Sequence, residues 1–271
     1  MRVSIIGLGW LGEPLADHLL LKGFEVKGST TTTEKISTFA EKGINTYPFF
    51  LNPDPQGQGF EDLFLTDILV INIPPQRRTA MGDFYLQQIA YLRKIAEKSE
   101  IPQIIFISAT SVYPDLNQKA FESDKLTVDA GGNSTLLQAE ELMWRDKSYD
   151  LTVVRLGGLL GDNRVPGQYV SNKERVVGHA PVNYIYREDA VRVVDWIIEK
   201  GLWNDTYNGV APYHPSRREV YEKNARIFGF PPPTSYEQPE VSPWKKVSSD
   251  KLLQSGFRFL YHPLHFPYKH K

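Results

Sequence analysis

The 271-residue sequence contains no cysteine. That absence excludes disulfides, thiolate catalysis and cysteine metal sites, and it fits a reducing compartment. Charge of one sign is missing too. Lysine and arginine number 31 against 32 aspartate and glutamate, a net charge of −1, so nothing points to nucleic acid or an acidic membrane as partner. No apolar run approaches the length of a membrane span. Val3–Leu11 has the look of a signal-peptide core, but its glycines have a better use in a turn and no small-residue cleavage site precedes the next apolar run. A cytoplasmic protein is expected. His262, His265 and His270 are close in sequence but have no cysteine or nearby acidic partner, so no metal is expected.

What is present is an ordinary globular composition, 41% hydrophobic and 23% charged, long enough for one large α/β unit or one with a small appended lobe. Its first thirty residues carry the strongest signal. Arg2–Ile6 is a short apolar run, and Gly7-Leu8-Gly9-Trp10-Leu11-Gly12 follows at once. Leu11, Leu15, Leu19 and Leu20 then recur at helical spacing. A second apolar run, Phe24–Gly28, comes next. Strand, glycine turn, helix and strand together form the context that a dinucleotide-binding G-x-G-x-x-G requires. Gly7 permits the tight turn, Gly9 lets the backbone approach a diphosphate, and Gly12 lets the helix pack close to the strand. Amides at the helix start then face the phosphates. S-adenosylmethionine, a rival at glycine turns, has no diphosphate for that helix end to hold.

One further absence bears on the cofactor. NAD sites usually carry Asp or Glu at the end of the second strand, about 20 residues past the glycines, to accept from the ribose 2′-hydroxyl. Here the chain reads Gly28-Ser29-Thr30-Thr31-Thr32-Thr33, with Lys35 the nearest cation. Hydroxyls and amides can donate to a 2′-phosphate that a carboxylate would repel, so NADP(H) is favoured and NAD(H) is the alternative. Thr31 and Glu34 also have the spacing of a capping box for a helix over 34–42.

Strands and helices continue to alternate. Strands are expected at 44–51, 67–73, 104–108 and 151–155, with Asn52-Pro53-Asp54-Pro55 and a flexible loop at 56–59 after the first of these. Helices are expected at about 79–98, with Met81, Phe84, Ile89, Leu92 and Ile95 along one side, and at 134–147. Six apolar strands with crossover helices predict an α/β fold, a Rossmann-type doubly wound parallel sheet. Ligands bind at the carboxyl ends of such strands. That rule brings Gly7–Gly12, Ser29, Thr30, Thr31, Ile73, Pro74, Pro75, and Ser108 to Tyr113 to one edge. Residues 1–156 are expected to form the dinucleotide-binding domain. Residues 157–271 are more fragmentary, with a helix from near Arg187, a strand at 206–210, and helices at 216–228 and 250–253. They are expected to form a small substrate-binding lobe that returns to the core.

Four segments carry a resemblance. The glycine turn, Ile105 to Tyr113 (IFISATSVY), Val153 to Gly161 (VVRLGGLLG) and Tyr184 to Ala190 (YIYREDA) are similar, in that order, to signatures of extended short-chain dehydrogenases/reductases, closest to their atypical, YeeZ-like branch. Asn208-Gly209-Val210 resembles the late strand. The resemblance runs almost the whole length. It implies an NAD(P)-binding Rossmann domain and a small C-terminal substrate domain, with reductase, epimerase or dehydratase activity often directed at nucleotide sugars. In relatives, the helix after 67–73 and the helix after Tyr113 often pair two subunits, so it also implies a homodimer.

The same comparison exposes missing chemistry. These enzymes use Ser or Thr, a Tyr and, four residues later, a Lys, which lowers the tyrosine pKa from about 10 for proton exchange. Aligning Val112-Tyr113 puts Ala109 at the Ser/Thr position, and aligning Ala139-Glu140-Glu141-Leu142 puts Gly132 and Leu136 at the Tyr and Lys positions. Two readings follow. In one the protein is an oxidoreductase or epimerase acting on a small or sugar-nucleotide-like substrate, with an unassigned proton donor. Tyr113 is then the candidate catalytic group or, as a plainer role, a wall of the substrate pocket. In the other it is an inactive NADP(H)-binding sensor. The family pattern makes Arg187 a candidate for a substrate phosphate. Glu188-Asp189 is expected to cap the late helix, and Arg217-Arg218 and Lys245-Lys246 to lie on exposed faces.

Overall fold

The computed structural model describes residues 1–75, 82–129 and 132–266. In chain order the elements are β1 (Arg2–Ile6), α1 (Gly12–Leu21), β2 (Glu25–Thr30), α2 (Ile36–Glu41), β3 (Asn45–Asn52), β4 (Asp54–Gly57), β5 (Ile68–Ile71) and α3 (Gly82–Lys98). There follow β6 (Gln103–Ala109), β7 (Gln118–Ala120), α4 (Ser134–Trp144), β8 (Asp150–Leu156), β9 (Gly158–Leu160), β10 (Tyr184–Tyr186) and α5 (Arg187–Lys200). The chain continues with β11 (Asp205–Gly209), α6 (Arg217–Phe228), β12 (Lys245–Val247) and α7 (Asp250–Gln254).

Eight strands make the main sheet in the order β11-β8-β6-β5-β1-β2-β3-β4. β1 pairs in parallel with β2 on one side and β5 on the other, so Ile5 faces Gly28 and Val70. The chain thus builds outward through β3, returns across β1, and builds the other way from β5. A crevice for ligands forms at such a reversal. Both faces are covered, which is why β1 and β5 read as unbroken apolar runs. Val3, Ile5, Ile68, Leu69, Val70 and Ile71 are fully buried.

Several boundaries differ from the sequence expectation. Residues 54–57 are not a loop but an antiparallel edge strand, with Asn52 opposite Asp54 and Phe49 opposite Gly57. An edge strand tolerates Pro55, and that proline hid it. Gly57 has φ 148, and a Cβ there would stand 2.2 Å from the Pro48 carbonyl oxygen. The helix expected over 34–42 is a 3₁₀ turn, Thr33–Lys35, followed by the short α2. No Thr31–Glu34 capping box closes it; the Thr30 hydroxyl takes the turn by accepting from the Thr32 amide at 3.1 Å. α4 stops at Trp144, short of Lys147. The start expected for α3 near Thr79 and Met81 lies outside the described residues.

By compactness the chain divides into two units. One comprises 1–109, 133–155 and 191–206; the other comprises 110–132, 156–190 and the chain from 207 onward. One crossing falls at Arg155/Leu156, beside the boundary expected at 156. The first unit also takes most of α5, and the second takes the segment after β6. In the second unit β9 pairs with β10 and β12 with β7, both in parallel. Val182, Val220 and Tyr221 form a core there, packed by Val170, Val176, Tyr184, Tyr236, Leu264 and Phe266. The α6 N-terminus carries a complete capping box, Ser216 with Glu219.

Asp189 does more than place charge at the start of α5. It is fully buried, and its carboxylate accepts from the amides of Leu260 and Tyr261, each at 3.0 Å. Asp189→Ala is expected to lower the local opening free energy there by about 1–3 kcal/mol, since both amides lose a charged acceptor. Hydrogen exchange at residues 257–262 would show the loss, and unchanged protection would refute it. No described helix is long and apolar enough to cross a membrane.

Candidate functional site

The glycine turn is built by the strands on either side of β1. The Gly7 amide donates to Ser29 Oγ at 2.9 Å, and the Leu8 amide to the Ser29 carbonyl at 2.8 Å. From β5, Asn72 donates its side-chain amide to the Gly7 carbonyl at 3.0 Å. A Cβ on Gly7, where φ is +106, would meet the Asn72 carbonyl oxygen at 2.7 Å, and one on Gly12 would meet the Gly7 oxygen at 2.1 Å. Packing inside the protein therefore accounts for both. Gly9 is different. It is exposed, and a Cβ there would meet nothing within 4 Å. Neither strain nor crowding demands a glycine, so the open cradle fits a group that approaches the backbone from outside.

That cradle lies at the N-terminal end of the ten-residue α1, whose N-cap, Leu11, has no side-chain cap. The first amides of a helix have no intrahelical acceptor, and they carry partial positive charge. Leu11 is buried and Trp10 half-buried. Glu13, an acid in the first turn, is offset by Lys42, whose Nζ lies 3.0 Å from it and 2.9 Å from Asp17.

At the end of β2 the expected hydroxyls divide. Ser29 and Thr30 are buried, Ser29 engaged with Gly7 and Thr30 with Thr32, so both serve the backbone. Thr31, Thr32, Thr33 and Lys35 are the exposed groups. Beyond β5, Ile73 and Pro75 are half-buried and Pro74 exposed, and the Ile73 carbonyl accepts from the Tyr85 hydroxyl at 3.1 Å. Burial, and secondarily the Glu140 charge, push the Tyr85 phenol well above its ordinary value.

Ser108 reaches a network that the sequence did not reveal. Its hydroxyl donates to Glu140 Oε1 at 2.5 Å, and Glu140 Oε2 lies 2.6 Å from Arg155 Nη2 and 3.1 Å from Nε. Only 2% of Glu140 and 7% of Arg155 is exposed. A signal existed, because Glu140 is in helical phase with Leu136 and Met143 on the buried face of α4. Asn72 gave no such signal.

In the second unit Tyr113 is fully buried, and its hydroxyl donates to Asn208 Oδ1 at 2.9 Å. Asn208 ties three segments together. Its amide donates to Glu122 and its side chain to the Ser248 carbonyl, both at 2.9 Å. Lys245 is not on an open face; its Nζ donates to the Tyr113 carbonyl at 2.6 Å. Gly132, aligned with the family's tyrosine, has no room for any side chain, since a Cβ would stand 2.0 Å from the Val112 oxygen. Arg187 forms an ion pair with Asp162. The His262 ring lies tilted against Tyr213 with centroids 3.9 Å apart, the His265 carbonyl accepts from Tyr186, and His270 lies outside the described residues.

Over 263 residues the chain is 31% identical to protein YeeZ of Escherichia coli strain K12, covering 96% of both chains. The chain belongs to the YeeZ family. Residues 2–53 also match a family described as the NAD binding domain of 6-phosphogluconate dehydrogenase. Among solved structures, this YeeZ-family chain shares its fold with a short-chain dehydrogenase/reductase superfamily protein from Agrobacterium tumefaciens with bound NAD. The TM-score is 0.78, identity is 14%, and coverage is 97% of this chain and 94% of that one. The UDP-N-acetylglucosamine 4-epimerase of Bacillus cereus gives 0.75 at 15% identity, covering 97% and 96%. A human epimerase family protein with NADPH gives 0.72 at 18%, covering 96% and 95%. The α/β Rossmann-type fold of short-chain dehydrogenases/reductases is thereby established.

Proposed function

We propose that the chain binds a nicotinamide dinucleotide at the glycine turn and acts as an oxidoreductase or epimerase on a small or sugar-nucleotide-like substrate. The observation that carries the binding is Gly9, a glycine that the protein's own packing does not need, open at the start of α1. Gly7, Trp10, Leu11 and Gly12 shape the diphosphate cradle, Asn72 and Ser29 hold it, and Ile73, Pro74 and Pro75 border it. Bound there, the nicotinamide supplies or takes a hydride. NADP(H) is favoured over NAD(H) because β2 ends without a carboxylate, while Thr31, Thr32, Thr33 and Lys35 present donors to a 2′-phosphate. Two relatives in fold were solved with NAD and with NADPH respectively, which supports the class and leaves this choice to the β2 end.

The Ser/Tyr/Lys proton machinery is absent from this reading. Gly132 and Leu136 cannot supply it, and the Tyr113 hydroxyl is committed to Asn208. We assign Tyr113 a structural role, so turnover rests on a group other than the family's tyrosine. The buried Tyr113 and the filled space at Gly132 equally favour a second reading, a dinucleotide-binding sensor without turnover.

Fluorescence titration with NADPH and NADH tests the binding. NADPH is expected to bind about tenfold more tightly than NADH, the worth of one good charge-assisted contact. Gly9→Asp should weaken NADPH more than about a hundredfold, because a carboxylate some 5 Å from the diphosphate costs about 3 kcal/mol. Equal binding by Gly9→Asp would remove the glycine turn from the site. Slow NADPH oxidation with a carbonyl substrate would select the enzyme, and tight binding with no turnover the sensor.

A further inference from the structure

We propose that Arg217, with the hydroxyls of Tyr184 and Tyr221, forms a binding site for the carboxylate of a small organic acid. All three residues lie in the second compact unit, so the inference stands apart from the dinucleotide reading.

Helical spacing separates two adjacent arginines. Arg218 has Glu222 four residues on, and its Nε lies 2.7 Å from that carboxylate. Arg217 has Tyr221 at the same interval, and residues four apart share a helix face. Arg218 is accordingly an exposed ion pair, whereas Arg217 is half-buried, against the exposed face expected for both. Among the described residues the Arg217 guanidinium makes no hydrogen bond and no ion pair. The nearest acid in sequence, Glu219, is spent on the capping box, where its Oε2 accepts from the Ser216 amide at 2.7 Å and from the Ser216 hydroxyl at 2.8 Å.

Backbone pairing places this face of α6. The Arg217 amide donates to the Ala180 carbonyl at 2.9 Å, the Val182 amide donates to the Pro215 carbonyl at 2.9 Å, and Pro181 bridges to Ser216. The start of α6 is thereby laid against the segment that runs on into β10 at Tyr184. Val182 and Tyr221 share one core, and Tyr184 packs against it. A Cβ on Gly158 would stand 2.7 Å from Tyr184 Cδ1, so that glycine makes room for the ring. Burial pushes both phenols up, and the Arg217 charge opposes the rise in each.

The donor set selects the ligand. A guanidinium offers two parallel N–H groups that match the two oxygens of a carboxylate. The phenol hydroxyls can donate to the remaining lone pairs of those oxygens. One arginine also balances one negative charge. A phosphate dianion would keep a second, uncompensated charge in a half-buried place, which is costly.

Calorimetric titration of gluconate into the full chain tests this, with sorbitol as the uncharged counterpart. Gluconate is expected to bind and sorbitol not to bind. Arg217→Lys keeps the charge but removes the fork, and should weaken gluconate about tenfold. Tyr221→Phe removes one neutral donor and should weaken it about fivefold. Arg218→Gln should change nothing, because Glu222 already holds that side chain. Arg217→Gln should abolish binding while Tm stays level or rises, since no described partner is lost; replacing a purely structural arginine would lower Tm and spare binding. The start of α1 could also take an anion, so the series is repeated with Gly9→Asp, where the Arg217 effects should persist while NADPH binding falls. Gluconate binding lost with Gly9→Asp, equal binding by Arg217→Lys, inorganic phosphate bound more tightly than gluconate, or no gluconate binding by the wild type overturns the site. Failure of the wild type to bind NADPH, with the Arg217 effects intact, overturns the dinucleotide reading and leaves the carboxylate site standing.

Discussion

Glu140→Ala is expected to lower the unfolding free energy by about 3–5 kcal/mol, the range for removing one partner of a buried ion pair. The cause is not the loss of attraction alone. Arg155, 7% exposed, would keep its charge but lose the Glu140 carboxylate, and the Ser108 hydroxyl would lose that acceptor. Both groups would then bear a desolvation cost that the pair now offsets. The joint replacement Glu140→Met with Arg155→Met removes both charges at similar volume, and should lie within about 1–2 kcal/mol of the wild type. Guanidinium denaturation of the two singles and the double gives the coupling directly. A single-site loss below about 1 kcal/mol would mean that water reaches the pair, and it would contradict the burial of α4 against β8.

How much of this was visible beforehand varies with the kind of signal. The parallel type of the sheet and six of its strands followed from apolar runs, because a parallel strand covered on both faces has no polar alternation to confuse it. What stayed hidden was chemistry between residues distant in sequence. Asn72 is 65 residues from the Gly7 carbonyl it supports, and nothing local distinguishes it from any asparagine after a strand. Tyr113 looked like a pocket residue because its motif sits at a strand end, yet its hydroxyl is taken by Asn208, 95 residues away. The β2 hydroxyls illustrate the same limit. Their composition indicated donors at the ribose end, but only the fold shows Ser29 and Thr30 spent on the backbone while Thr31 and Lys35 stay exposed.

Gly12→Ala and Gly9→Ala should separate the two jobs of the glycine turn. At Gly12 the added methyl would stand 2.1 Å from the Gly7 carbonyl oxygen and 3.0 Å from the Asn72 side-chain nitrogen. No rotamer relieves a clash between a Cβ and backbone, so α1 must move away from β1 or the turn must open. Such overpacking typically costs about 1–3 kcal/mol, occasionally more, and the displaced α1 amides would no longer hold a diphosphate in place. Thermal stability and NADPH binding should fall together. At Gly9 the methyl enters open space with no left-handed backbone to strain, so stability should change by less than about 0.5 kcal/mol. Dinucleotide affinity should nevertheless drop, because the methyl stands where the phosphate oxygens approach the chain. If Gly9→Ala binds NADPH like the wild type, the diphosphate approaches from elsewhere. If Gly12→Ala is as stable as the wild type, α1 does not meet the glycine turn as closely as this geometry requires, and Gly12 loses its packing explanation while Gly9 keeps its own.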